Sequence, residues 1–373
     1  MEVLYGDAAN IVLVNANFAL PKKATLSRAL RLYRQHLHVS DQAMPPIPGD
    51  VNFVMPPKLD DCVLYDSGPG EERIIILGCN ELLDALARAS MWLADGTFKV
   101  VPSLFFQLYT IHFQFVHGIN PAALYCLLKN KRRSTYDRLL DQVLHLIPPA
   151  APTVILTDFE SAAMGAFRDK FVTARITGCY FHLAQSVLRK VNEVGLKVDY
   201  ETSEDVRIPV RCLSALSHIP VEDVPAAFDL LAESMPQVAH VDEQVVTYFE
   251  HTYIRGRRLR GRGDNYGPAL FPIETWNQLD AAADCLTWTN NICEGWHNGL
   301  QAHYNATLWR FLDDLHGDCI KQKTSFLHGV SGVQHFGEKR YRTLRERTMR
   351  AIATYGQTDV LQFLRAISHL SFQ

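Results

Sequence analysis

Residues 91–128 read MWLADGTFKVVPSLFFQLYTIHFQFVHGINPAALYCLL, and this stretch decides the fold class. It contains three apolar runs rich in β-branched and aromatic residues, at 91–101, 105–117 and 122–128. Runs of this length and composition are typical of buried strands. Because they follow one another in quick succession, the stretch predicts three strands that are consecutive along the chain.

Downstream of this stretch, the pattern alternates between helix and strand. An amphipathic helix at 134–147 comes first, followed by a strand at 153–157, a helix at 161–171, a strand at 174–181 and a helix at 182–194 that Gly195 ends. Three sequential strands followed by strand–helix alternation predict a mixed sheet with an antiparallel edge and parallel crossovers. This element order is that of an α/β, ribonuclease-H-like fold whose mixed sheet is flanked by helices.

The remaining segments differ in character from this core. Residues 200–288 read as an all-helical insertion, because the strand–helix alternation stops there. The organisation predicted along the chain is an N-terminal arm with a partial helical region (1–70), the α/β core (71–199), the helical insertion (200–288), a returning helix with its successor (289–327) and a basic helical tail (328–373).

The overall composition is that of an ordinary globular protein. Apolar residues make up 47% and charged residues 21% of 373, which argues against disordered, fibrous and coiled-coil classes. The eight cysteines include no CxxC pair, a secretory pattern is absent from the N-terminus, and no stretch of about 20 apolar residues occurs. We therefore expect an intracellular protein, nuclear or cytoplasmic, that is neither secreted nor inserted in a membrane.

Two aspartates stand at strand positions where ligands bind in α/β proteins. Asp95 follows an apolar strand and precedes Gly96, which would permit close approach of a ligand, and Asp158 stands at the end of the strand at 153–157. Two carboxylates repel unless cations lie between them, so the pair favours Mg²⁺ or Mn²⁺. Two simpler interpretations stay open: Asp95 as a turn residue and Asp158 as a helix cap.

Three blocks of sequence resemble the transposase domain of Mutator-like elements, the MULE transposases. The blocks are Trp92-x-x-Asp95-Gly96-Thr97-Phe98-Lys99, then Leu156-Thr157-Asp158-Phe159-Glu160 with Gly178-Cys179-x-Phe181-His182, and finally Asn290-Asn291-x-x-Glu294-Gly295-Trp296-His297-Asn298. The ordered set is specific, whereas any single block would be weak.

The resemblance implies a DDE transposase with a catalytic triad on a ribonuclease-H-like core and a helical insertion before the glutamate. It assigns Asp95, Asp158 and Glu294 as catalytic residues and as ligands of two Mg²⁺ or Mn²⁺ ions. The implied activity is metal-dependent phosphodiester cleavage and strand transfer at element ends, in cut-and-paste DNA transposition. Glu160 is a rival for the third acid, although its place at a helix start suits the helix N-terminus better.

A second pair of residues accompanies the acids. Cys179 and His182 form a CxxH that the family shares, and His297 lies on the helix predicted to carry Glu294. A zinc site needs three or four ligands, and only this one tight pair is present. We expect these residues to support the active site without binding zinc.

Local basic clusters predict DNA contacts despite a formal net charge of −3. Arginine forks onto phosphate oxygens, and neighbouring glycines let the backbone approach the nucleic acid. The residues we expect at DNA are Arg255, Arg257, Arg258, Arg260 and Arg262 in an Arg/Gly stretch, and Lys129, Lys131, Arg132 and Arg133 before a helix.

Many members of this family carry an upstream zinc-finger domain of the FLYWCH type. Residues 1–70 contain one cysteine, Cys62, and two histidines, His36 and His38, so we expect such a domain to be lacking here. The alternative function is therefore a domesticated or truncated, transposase-derived DNA-binding or regulatory protein without transposition activity. For an active transposase, the expected partners are terminal inverted repeats, target DNA and further copies of this chain.

Overall fold

The chain is a mixed α/β protein whose seven described strands comprise an antiparallel set of five and a parallel pair, with helices packed beside them. The α/β class predicted from the sequence is confirmed, and the arrangement is compatible with a ribonuclease-H-like fold. The computed structural model describes residues 46–98, 100–115, 120–147, 150–235, 241–259, 265–279, 296, 307–331 and 339–370.

Two compact units make up the chain, and each combines segments that are distant in sequence. The first comprises Met1–Ala151 and Gly295–His335, and the second comprises Pro152–Glu294 and Phe336–Gln373. The two units are described separately below. Among the described helices, none combines the length and the apolar character that crossing a bilayer requires.

The helices follow a simple order. The described ones are α1 (Asn80–Arg88), α2 (Arg133–Leu146), α3 (Ser161–Lys170), α4 (Tyr180–Glu193), α5 (Lys197–Thr202), α6 (Glu204–Ala215), α7 (Val224–Glu233), α8 (Ile273–Trp276), α9 (Leu308–Val330), α10 (Lys339–Ile352) and α11 (Val360–Leu370). Residues 241–254 are also helical, with π-type hydrogen bonding over Val241–Val246 and Glu250–Ile254.

Five strands build the sheet of the first unit. In that unit they are ordered β1-β2-β5-β4-β3, and each neighbouring pair is antiparallel. The last three strands confirm the prediction for residues 91–128, and two of them end before their apolar runs do. The strands are β1 (Val63–Asp66), β2 (Ile75–Gly78), β3 (Met91–Thr97), β4 (Gln107–Phe113) and β5 (Ala122–Leu128).

The described residues between 46 and 70 pack into the first unit. Phe53 and Leu59 are buried in its core, and the Phe53 ring packs edge-on against Trp309 of α9 at 5.3 Å between ring centroids. The sequence did not predict β1, because four residues after a proline-rich stretch carry no clear periodic signal. Pairing with β2 supplies the strand's hydrogen bonds and so defines it.

A buried arginine ties this segment to the sheet. The Arg73 guanidinium forms an ion pair with Asp66, with Nη2 and Oδ2 at 2.5 Å, and donates to the backbone oxygens of Val51 and Phe53. It also lies over the Phe53 ring, 4.1 Å from the centroid. Each donor group therefore meets an acceptor, which a buried charge requires.

The second unit contains a parallel strand pair. β6 (Val154–Thr157) and β7 (Arg175–Gly178) are joined by α3, with Leu156 opposite Thr177. The helix α4 follows and ends as predicted at Gly195, whose φ is +81°. There the Leu196 N–H bonds to the Val191 oxygen at 3.0 Å, which completes a Schellman cap.

Helices make up most of the remainder of the second unit. Residues 197–233, 241–254 and 273–276 are helical apart from short connections, as the sequence predicted for this part of the chain. Trp276 is fully buried there, and its indole N–H donates to the Tyr253 oxygen at 2.9 Å. The C-terminal helix α11 packs on α6.

A short hairpin interrupts these helices. Its described parts are residues 256–259 and 265–267, which we call the Arg-Gly hairpin. The Gly256 N–H donates to the Gly267 oxygen at 2.8 Å, and the two segments pair in antiparallel fashion. A Cβ at Gly256 would lie 2.3 Å from the Pro268 oxygen, so the close pairing requires glycine at this position.

Candidate active site

Asp95 lies inside β3, where the residue is buried, with 3% of its surface exposed. Its Oδ1 accepts a hydrogen bond from the Gly96 N–H at 2.8 Å. Thr110 faces it on β4 and donates from Oγ1 to the Asp95 backbone oxygen at 3.3 Å. The backbone and the side chain of Asp95 are therefore both held by neighbouring strand residues.

Gly96 is required by the packing of the protein itself. A Cβ at this position would lie 2.8 Å from Gln107 Oε1 and 3.3 Å from the Tyr109 ring. The sequence interpretation, in which this glycine makes room for a ligand, is therefore corrected: Gln107 and Tyr109 fill that space. Gln107 is itself buried and donates from Nε2 to the Tyr136 hydroxyl at 2.8 Å.

Asp158 directly follows β6 in the second unit and is half-buried. The Thr157 hydroxyl donates to Asp158 Oδ1 at 3.2 Å. The Thr157 backbone oxygen accepts from the Cys179 N–H at 2.9 Å, which continues the pairing of the two parallel strands to their ends. Asp158 thus begins the connection at the C-terminal end of a parallel strand, as predicted.

Phe159 anchors the residues on either side of it. A Cβ at Gly178 would lie 2.3 Å from the Phe159 ring, so the ring packs directly on the glycine backbone. The same ring contacts Tyr253 and Phe271 edge-on, at centroid distances of 5.5 and 5.0 Å. Because Phe159 is held on these sides, the orientation of Asp158 next to it is restricted.

Glu160, the rival third acid, occupies the N-cap position of α3. Its backbone oxygen accepts from the Met164 N–H at 2.9 Å, while its side chain makes no capping hydrogen bond. The position agrees with the expectation that Glu160 stands at the helix start, where a negative charge is favourable.

Cys179 and His182 lie at the start of α4. Cys179 is fully buried at the N-cap position, and the oxygen of this residue accepts from the Leu183 N–H at 3.0 Å. His182 is half-buried and lies edge-on to Phe181. In the part of the chain that the structure describes, neither belongs to a group of three side chains able to hold a metal ion.

Trp296 belongs to the third block of the resemblance and packs in the first unit. Its indole Nε1 donates to Asp318 Oδ2 on α9 at 2.6 Å, and the same oxygen accepts from the Tyr125 hydroxyl at 2.8 Å. Burial and the nearby Asp318 carboxylate raise the pKa of Tyr125, so its hydroxyl keeps the proton that it donates. Tyr125 and His112 both contact the Trp296 ring, at 5.4 and 5.7 Å.

His112 connects this tryptophan to the strand that carries Asp95. Its Nε2 lies 3.2 Å from Thr110 Oγ1 and its Nδ1 lies 3.2 Å from the Asn120 oxygen. Since Thr110 in turn bonds to the Asp95 backbone oxygen, a continuous set of contacts runs from Asp318 through Trp296 and His112 to Asp95.

The sequence analysis did not single out Asp318. A usable signal exists in α9, because Asp318 follows the buried Leu315 by three residues and therefore lies near the apolar face of an amphipathic helix. An acid at such a position needs partners, which the tryptophan and tyrosine donors provide.

Glu294, His297, Arg260 and Arg262 lie outside the described residues. Asp95 lies in the first unit and Asp158 in the second. Because Glu294 is not among the described residues, its place as the third acid of the triad stays a prediction.

The arginines of the Arg/Gly stretch differ in their surroundings. Arg255 forms ion pairs with Asp229 and with Glu250, the latter at 2.6 Å, and its guanidinium lies over the Tyr266 ring. These contacts give Arg255 a structural role in the second unit. Arg257 and Arg258 are instead exposed on the Arg-Gly hairpin.

The cluster before α2 shows a similar division. Lys129 donates to the Leu104 backbone oxygen at 2.7 Å, and Arg133 pairs with Asp137 at 2.8 Å. Lys131 and Arg132 are exposed, and the Arg132 side chain forms a long ion pair of 3.5 Å with Glu72. Exposed pairs of this kind are weak, so Lys131 and Arg132 are the members best placed to contact a phosphate.

Comparison with known families locates a defined domain in this chain. A family model described as the MULE transposase domain matches residues 91–186. Residues 91–186 are therefore similar to a MULE transposase domain. This domain begins with β3, ends within α4 and contains Asp95, Asp158, Cys179 and His182.

The match covers the first two blocks of the resemblance and ends before the third block. A MULE transposase domain indicates a transposase-type function, with DNA as a partner, in a family that usually uses divalent metal ions. No curated protein matches the chain.

Proposed function

We propose that this chain is the catalytic part of a DDE transposase that cuts DNA at element ends and joins them to target DNA. The observation that carries the proposal is the MULE transposase domain at residues 91–186, which contains both Asp95 and Asp158 at strand positions.

The donor set fits the metal ions that such chemistry uses. Asp95, Asp158 and Glu294 offer carboxylate oxygens alone, which Mg²⁺ and Mn²⁺ prefer over softer metals. We propose that these three residues hold two such ions. When bound, the ions activate the attacking oxygen and neutralise charge on the leaving oxygen of a phosphodiester.

The neighbouring residues hold the carboxylates in position. The Gly96 N–H bonds to Asp95 Oδ1 and the Thr157 hydroxyl bonds to Asp158 Oδ1, so each carboxylate has one oxygen fixed by the protein. Cys179 supports Asp158 through its backbone bond to the Thr157 oxygen. We place His182 and His297 with Cys179 as supporting residues of the site.

Support for Glu294 comes from Trp296, which follows it by two residues. Trp296 packs against His112, whose Thr110 partner bonds to the Asp95 backbone. The described member of the third block therefore packs next to the residues that hold Asp95.

DNA contacts are proposed for the basic residues that the sequence analysis named. Arg257 and Arg258 on the Arg-Gly hairpin and Lys131 and Arg132 before α2 are the exposed members. We propose that they bind phosphates of inverted repeats and target DNA, in an assembly of several copies of this nuclear or cytoplasmic protein.

A nicking assay tests the proposal. The substrates are a supercoiled plasmid and a DNA that carries the terminal inverted repeats flanking the gene for this chain. Both are assayed with Mg²⁺ or Mn²⁺. Asp95→Asn, Asp158→Asn and Glu294→Gln should each lower the nicking rate by more than about 100-fold, the upper end of losses for residues around a metal ligand. Asp84→Asn, an exposed acid on α1, is the control and should keep the rate.

The two rival acids are separated in the same assay. If Glu160→Gln abolishes nicking while Glu294→Gln does not, the third ligand is Glu160. If the wild-type chain binds DNA but does not nick it, and no variant changes that, the chain acts as a domesticated DNA-binding or regulatory protein.

A further inference from the structure

A second group of metal-ligating side chains lies in the first unit, away from Asp95. The carboxylate of Asp61, the thiol of Cys62 and the imidazole of His316 place one ligand atom each within 4.8 Å of the other two. Ligands around one tetrahedral zinc ion are roughly 3.5 Å apart, so small side-chain movements suffice to close the group around an ion.

Two separate elements bring the three side chains together. Asp61 and Cys62 follow a single helical turn, Pro57–Leu59, and directly precede β1. His316 comes from α9, and its Nε2 lies 3.1 Å from Asp61 Oδ2. The His316 nitrogen thus already faces the carboxylate that would share the ion with it.

The three positions differ in exposure in a way that suits a site at the protein surface. Cys62 is 2% exposed, and its thiol donates to the Leu59 oxygen at 3.3 Å. The Asp61 side chain is 68% exposed and the His316 side chain 23% exposed. An ion bound here would be covered by protein on the sulfur side and reachable by solvent on the carboxylate side.

The surroundings carry negative charge. Asp313 lies one turn before His316 on α9 and forms a 2.7 Å ion pair with Lys58. Burial, together with Asp61 and Asp313, raises the pKa of the Cys62 thiol to about 12. The same carboxylates that disfavour a bare thiolate favour a divalent cation beside it.

We propose that Asp61, Cys62 and His316 bind a zinc ion that is distinct from the catalytic ions. Nitrogen, sulfur and oxygen ligands together are the set that zinc accepts, whereas Mg²⁺ takes oxygen. Three protein ligands leave a fourth position for water.

The consequence of this site is structural. It joins the segment before β1 to α9, and α9 carries Asp318, which holds Trp296. The ion would connect Asp61 to His316, which lies 255 positions later in the chain. A zinc ion here therefore stabilises the packing of α9 on the first unit.

Metal analysis tests this site. The full chain, purified without added zinc or after zinc loading and desalting, should contain about one zinc per chain by inductively coupled plasma mass spectrometry. Cobalt in place of zinc should give the near-ultraviolet absorption of a thiolate–cobalt bond, which reports Cys62 directly. Removing the metal with a chelator should lower the melting temperature.

Matched variants separate the ligands from their neighbours. His316→Ala and Asp61→Asn should each weaken zinc binding by more than about tenfold. Loss of a residue that merely supports a metal ligand already weakens binding by about that factor, so loss of a ligand itself should cost more. His328→Ala on the same helix and Asp60→Asn beside Asp61 should keep the zinc. Cys62→Ser should remove the cobalt–thiolate band, and circular dichroism confirms that each variant is folded.

The outcomes decide the proposal without reference to nicking. Zinc that stays after His316→Ala and Cys62→Ser, or a cobalt spectrum without the thiolate band, would overturn it. Zinc that is lost in Asp95→Asn and kept in His316→Ala would place the ion at the catalytic residues, and would also overturn it. Failure of the nicking proposal leaves these measurements unaffected.

Discussion

The Trp296 indole N–H donates a 2.6 Å hydrogen bond to Asp318 Oδ2, and the Tyr125 hydroxyl donates to the same oxygen. Asp318 on α9 thus holds Trp296 next to Tyr125 of the strand β5. The carboxylate is a charged acceptor, and bonds to charged groups contribute about 1.5–3 kcal/mol.

Trp296→Phe should therefore destabilise the first unit by about 1–3 kcal/mol, because it removes the donor and leaves Asp318 with one fewer partner. The nicking rate should also fall, while DNA affinity stays. Trp309→Phe is the matched control, since Trp309 donates to the neutral Pro46 oxygen in the same unit. Denaturant unfolding measures the stabilities, and an equal effect of both variants on nicking would contradict the role given to Trp296.

Gly178→Ala should destabilise the second unit by about 1–3 kcal/mol, as overpacking does, because its methyl group would lie 2.3 Å from the Phe159 ring. Thermal unfolding measures this loss. Gly267→Ala, whose nearest neighbour would lie at 3.6 Å, should have a much smaller effect. Phe159→Leu in the Gly178→Ala background should recover part of the stability, and an absence of recovery would argue against this contact.

His218 should make the second unit less stable in acid. Burial lowers its pKa from 6.5 to about 4, so the unfolded chain binds a proton at a higher pH than the folded chain does. The stability that this histidine contributes is complete above pH 6.5, falls as the pH drops towards 4, and amounts to about 3 kcal/mol in total. Denaturant unfolding between these pH values measures the loss, and His218→Gln should flatten the profile.

The Arg-Gly hairpin should account for part of the salt dependence of DNA binding. Replacing Arg257 and Arg258 by alanine should reduce the slope of log affinity against log salt by roughly 2, because two phosphate contacts are lost. Lys197→Ala, an exposed lysine of the same unit, should leave the slope unchanged. Fluorescence anisotropy over a salt series measures it, and an unaltered slope in the double variant would exclude this surface.

Arg255 behaves differently in the same experiment. Its ion pairs with Asp229 and Glu250 are internal to the protein. Arg255→Ala should therefore lower the melting temperature and change the salt dependence of DNA binding little.

Most of the sheet was predictable because its strands are locally encoded. β5 coincides with the apolar run 122–128, and β6 with the run before Asp158, since buried strands are apolar on both faces. The end of α4 was equally predictable, because Gly195 adopts a left-handed backbone conformation that favours glycine over other residues.

The features that escaped prediction depend on residues far apart in sequence. The neighbours of Gly96 lie on the next strand, so its surroundings depend on its pairing with Tyr109 and on the position of the Gln107 side chain. Arg255 belongs by composition to a basic stretch, but its acidic partner Asp229 lies 26 residues earlier. Asp158 was named from a strand end and a family motif, and Asp95, which lies inside β3, from the motif and the apolar run that contains it. Neither signal needs knowledge of tertiary contacts.

The core of the first unit is built from segments that come before and after most of the second unit in the sequence. Leu312 and Leu315 of α9 pack with Leu127 of β5 and Ile75 of β2, although most of the second unit lies between them in the chain. During synthesis, β5 leaves the ribosome about 180 residues before α9 does, so its buried face waits without its covering helix. We therefore expect chaperones, or early folding of the intervening residues, to keep that surface from aggregating until the helix is synthesised.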